Sequence, residues 1–147
     1  MAVKLTSLKA DVKKENEGAW VPFADTGDPD LGFKVRSLNY VPFETARLRE
    51  IMRLQTRFGA SSVPQEESDQ MLGKLLVEHI LLDWRGIVDE NRVAVPYTTD
   101  MGMDFLPSPE GVHVRRYVLA CASRLGEVKA EFVEEAVKNS VPPSAKN

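Results

Sequence analysis

Hydrophobic and polar positions change their period three times along the chain, and each change marks an element. Trp20, Val21 and Phe23 form a short apolar run that suggests a strand, and Pro22 places it at a sheet edge. Gly27-Asp28-Pro29-Asp30 has turn chemistry, since proline presets φ while Asp and Gly tolerate tight geometry. Phe33, Val35 and Ser37 then alternate with Lys34 and Arg36, the period of two of a half-buried strand. Together these predict a β-hairpin over about 19–38.

From Pro42 the period lengthens. Phe43, Leu48, Ile51, Leu54 and Phe58 fall on one side of a helix, with Pro42 suited to its first turn and Gly59 to its exit. A second helix is expected from about Gln65 to Asp83, with an apolar stripe of Leu72, Leu75, Leu76, His79 and Leu82. Trp84 is read as its last large anchor and Gly86 as the left-handed residue that turns the chain. Asp89 to Pro96 is expected to be extended. Thr98 or Thr99 can cap a short third helix to about Leu106, and Pro107-Ser108-Pro109 breaks it. A long fourth helix is expected from about Glu110 to Lys138. Its stripe is Val114, Val118, Cys121, Ala122, Leu125, Val128, Phe132 and Ala136, and Gly126 is a candidate kink.

The predicted fold is mainly α: about four helices with an N-terminal β-hairpin, α+β at the margin. Residues 18–140 are expected to form a single mostly helical domain. Residues 1–17, polar and lysine-rich, are expected to be a flexible arm or an irregular lead-in, and the tail from 141 is expected to be disordered. A chain of 147 residues suits one domain and can bury a core without disulfides or metal.

Composition changes this picture little, whereas the placement of charge changes it more. The net charge is −3, but residues 34–58 carry +4 and residues 59–110 carry −7. Such segregation bears on association rather than fold, and it favours head-to-tail contact between copies. Arg49, Arg53 and Arg57 recur every four residues and share a helix face, as a solvated surface or as a contact for an acidic protein partner. Nucleic-acid binding would call for a stronger basic balance and stacking aromatics. The first residues lack an export signal, and no apolar run approaches the ~20 residues of a membrane span. The chain therefore reads as soluble and cytoplasmic.

There is no phosphate loop, dinucleotide fingerprint, paired-cysteine zinc spacing or calcium loop, so no cofactor and no metal is expected. Cys121 lies in an apolar segment and reads as a buried small hydrophobe. His79 reads as a hydrogen-bonded core histidine. Asp89 and Glu90 are adjacent, so an extended chain would point them to opposite faces, which argues against a shared catalytic role.

The order "EGAWVPFADTGDPDLGFKVRSLNY", an arginine-rich helix, "LLDWRGIVDENRVAVPYT" and a helix ending "EEAVKNS" resembles tail assembly chaperones of tailed bacteriophages with long non-contractile tails, and of related gene-transfer particles. The resemblance covers about residues 17–140 and is most specific at Trp84-x-Gly86-Ile87 with the Val95-Pro96-Tyr97-Thr98 segment after it. It implies a protein that is not an enzyme. Such a chaperone binds the coiled-coil tape measure protein, keeps it soluble, helps tail tube protein assemble around it in the host cytoplasm, and is left out of the finished virion. Many are also made in a longer, frameshifted form. Two other readings stay open: a structural head–tail joining or tail-terminator subunit, and a DNA-binding or regulatory module using the arginine face. A small hydrolase or nuclease ranks last.

Overall fold

A computed structural model describes residues 2, 4, 5, 12–22 and 30–139, with only the helix path given beyond residue 125. The molecule is mainly α, and its described residues form five α-helices beside a small antiparallel sheet. Helix α1 spans Val12–Glu17, β1 Ala19–Pro22, β2 Gly32–Val35, α2 Val41–Phe58 and α3 Gln65–Leu75. A π-helical turn, Leu76–Ile80, continues α3 and leads into β3, Leu81–Arg85. Helix α4 spans Thr99–Phe105, a 3-10 turn spans Pro109–Gly111, and α5 spans Val112–Asn139.

The hairpin forms in the expected place, with Ala19 opposite Val35 and Pro22 opposite Gly32. Phe23 and Gly27 to Pro29 lie outside the described residues. So do the side chains of Val128, Phe132 and Ala136, the surroundings of Gly126, and the tail. Part of the expected N-terminal arm is instead helix α1, and Asn16 docks it. The Asn16 carbonyl accepts from Arg36 Nε at 2.6 Å and its side-chain oxygen from Tyr40 Oη at 3.1 Å.

The second expected helix differs most from the structure. It stays α-helical only to Leu75, widens into the π turn, and becomes extended at Leu81 (φ −77°, ψ 119°). Leu81–Arg85 is the third strand, antiparallel to β2, with Phe33 opposite Trp84 and a register irregularity between Lys34 and Val35. A leucine-rich run cannot tell a buried helix from a buried strand by periodicity alone, and here pairing with β2 decides.

Helix α5 lies against β1 and β2, while α2, α3 and the π turn pack beside them. The core between these layers is built on Phe33, Val35, Leu76, Ile80, Leu106, Val118 and Cys121, all fully buried. Gly73 shows how closely the layers meet. A Cβ there would come within 2.6 Å of Leu106 O and the Pro107 backbone, so α3 can rest directly on the chain between α4 and α5.

Candidate functional site

The segment after β3 is built for rigidity. Trp84 is 7% exposed; its indole N–H donates to Val95 O at 2.7 Å, and its ring meets Tyr97 edge-on at 4.8 Å between centroids. The Trp84 backbone N–H donates to the Asp83 carboxylate at 2.8 Å, which closes part of the outer edge of the sheet. Gly86 follows at φ +78°, and a Cβ there would sit 2.5 Å from Asp30 O. The left-handed turn expected at Gly86 is present, but it ends a strand rather than a helix. Trp84 likewise anchors from β3, not from a helix end.

Asp89 to Pro96 is not simply extended. The chain folds back on itself, with a bridge between Val88 and Ala94 and with Val95 N–H donating to Ile87 O at 2.9 Å. One Asp89 carboxylate oxygen accepts from the amides of Asn91 (2.8 Å) and Val93 (3.0 Å), and Arg92 sits at φ +62° within that turn. Asp89 therefore shapes the loop, while Glu90 is exposed beside it. Tyr97 closes the segment. Its hydroxyl is buried without a hydrogen-bond partner among the described residues, and burial first, with the Asp83 charge second, raises its pKa above the usual 10.0.

The two histidines and the cysteine do not converge. Cys121 is fully buried, its thiol facing Val21 O at 3.9 Å, and His113 is exposed. His79 is not a core residue as expected. Its side chain is a quarter exposed, lies 3.8 Å from Glu78, and lines an open groove between α2 and the π turn. The groove, about 540 Å³, is bounded by Val41, Pro42, Thr45, Ala46, Arg49 and Glu50 on one wall and by Leu75, Glu78 and His79 on the other. Among the described residues, no cluster of three or more His, Cys, Asp or Glu is placed to hold a metal. No helix of the described residues is long and apolar enough to cross a membrane.

The arginine row of α2 is exposed, but its members differ. Arg53 pairs with Glu50 at 2.7 Å, Arg57 lies over the Phe58 ring at 4.9 Å, and Arg49 opens onto the groove. Phe43 and Leu54 are the buried residues of α2, with Ile51 and Phe58 half-buried. Leu48 was expected among them, yet it is 56% exposed.

Leu48 belongs to the opposite face. Val41 (70% exposed), Thr45, Leu48 and Met52 (67%) follow one another at steps of four, three and four residues. That is the spacing of the seam positions a and d of a coiled coil. The sequence pattern missed this seam: Val41, Leu48 and Met52 make a second apolar stripe, but only burial shows which of two stripes on one helix faces the core.

A family model described as "YdaY prophage protein" matches residues 38–139, from the approach to α2 through α5. The chain belongs to the YdaY prophage protein family. It is therefore phage-derived, and the match takes in both the seam of α2 and the Trp84–Tyr97 segment, while β1 and β2 lie before it. No curated protein and no solved structure matches the chain.

Proposed function

We propose that this prophage protein is a non-enzymatic tail assembly chaperone. It binds a tape measure protein in the host cytoplasm, keeps it soluble while tail tube protein assembles around it, and does not remain in the particle. The observation that carries this reading is the outward seam of α2. Val41, Thr45, Leu48 and Met52 offer a coiled-coil partner a matching apolar stripe, and recognition of an amphipathic helix proceeds through anchors at such spacing. Arg49 flanks the stripe and the adjoining groove gives a partner side chain room beside Pro42 and Ala46. Phage origin and the resemblance of the Trp84–Thr98 segment agree with this role.

Coexpression with the tape measure protein of the same prophage tests it. The partner should stay soluble and copurify with the wild-type chain. Mass spectrometry of purified particles separates this role from a head–tail joining or terminator subunit, which would be retained.

A further inference from the structure

The seam of α2 carries its own charge code. With Val41 and Leu48 at d positions and Thr45 and Met52 at a positions, Glu44 falls at g and Arg49 at the e position five residues on. In a parallel two-stranded coiled coil, g of one helix faces e of the next heptad on the other. Two copies of α2 placed side by side would therefore match Glu44 with Arg49 twice, once in each direction. An antiparallel pair would bring g against g and e against e, and leave both charges unmatched. Both residues are exposed and neither has an ion partner among the described residues, whereas Arg53 is already held by Glu50.

We propose that the seam is covered, in the free protein, by α2 of a second copy in parallel register. The contact deepens the chaperone reading by naming what shields the apolar face before a partner helix replaces it. It concerns the purified chain alone, so its failure and the failure of that reading are separable. The dimer pairs the same surface on both copies by two-fold symmetry, in contrast to the head-to-tail contact that the charge segregation suggested.

Sedimentation or light scattering of the full chain over a concentration series tests this, with circular dichroism confirming that each variant is folded. The wild type should show a concentration-dependent dimer. Glu44→Arg and Arg49→Glu should each weaken it roughly tenfold, because two attractive pairs become repulsive. The double reversal Glu44→Arg/Arg49→Glu should restore it, since the pairs are re-formed with exchanged sign. Under oxidation Leu48→Cys should cross-link the copies, and Glu50→Cys, off the seam, should not. A monomer at every concentration, a dimer that the double reversal fails to rescue, or equal cross-linking from both cysteine positions would overturn the proposal.

Discussion

Trp84 and Tyr97 are packed ring against ring, yet their polar atoms fare differently. The Trp84 indole N–H has its acceptor in Val95 O, whereas the Tyr97 hydroxyl has none among the described residues. Trp84→Ala should therefore cost ~3–5 kcal/mol, through lost burial and an unfilled cavity, and appear as a large fall in melting temperature. Tyr97→Phe should be neutral or stabilising, because a buried hydroxyl without a partner is a liability. The raised Tyr97 pKa adds a sign. The folded state holds the phenol proton more tightly than the unfolded chain, so that contribution is full below about pH 10 and is lost as pH climbs through the folded-state value. Wild type should lose more stability than Tyr97→Phe between about pH 9 and pH 11 in denaturant melts. Residue identity made Trp84 and Gly86 legible in the sequence, since a large ring before a glycine marks a joint. That the joint ends a strand was not legible, because the backbone partner of Leu81–Arg85 lies far away in sequence, in β2.

Elements are held to one another by a small number of polar ties. Arg115 of α5 is 5% exposed, and its guanidinium donates to Leu106 O at 2.7 Å and Ser108 O at 2.6 Å, with Asp69 of α3 at 3.8 Å. It thereby satisfies carbonyls left over where α4 ends and the chain turns into α5. Removing it leaves those acceptors buried, and hydrogen bonds to charged groups contribute about 1.5–3 kcal/mol each. Arg115→Ala should lower stability by roughly 2–4 kcal/mol in urea melts, and Arg115→Lys should recover only part, since an ammonium lacks the planar fork. This clamp carries no sequence signal, because an arginine at the start of a helix looks like any solvated charge. Helix α2 shows the converse. Its extent was legible from Pro42 to Phe58, but the sequence pattern merged two faces, and Leu48 was assigned to the wrong one. Helix α3 fails differently: its apolar stripe was read through a π turn, where the phase of the helix shifts and Leu81 leaves the helix for the sheet.

At the scale of the whole molecule, the layers of sheet and helices bury one side of α2 and leave Val41, Leu48 and Met52 on the other side exposed. The charge segregation is visible in composition alone, but which charges are free is a property of the fold. Arg53 is occupied by Glu50 and Arg57 lies over Phe58, which leaves Arg49 beside the seam. The central claim is that this seam receives a coiled-coil helix from a phage tape measure protein. Coexpression of that protein with wild type and with Leu48→Glu/Met52→Glu, both at exposed positions where the fold tolerates charge, tests it most directly. Wild type should hold the tape measure protein in the soluble fraction and copurify with it, while the folded double variant should lose both effects. A tape measure protein that is equally insoluble with wild type, or equally rescued by the double variant, would contradict the account.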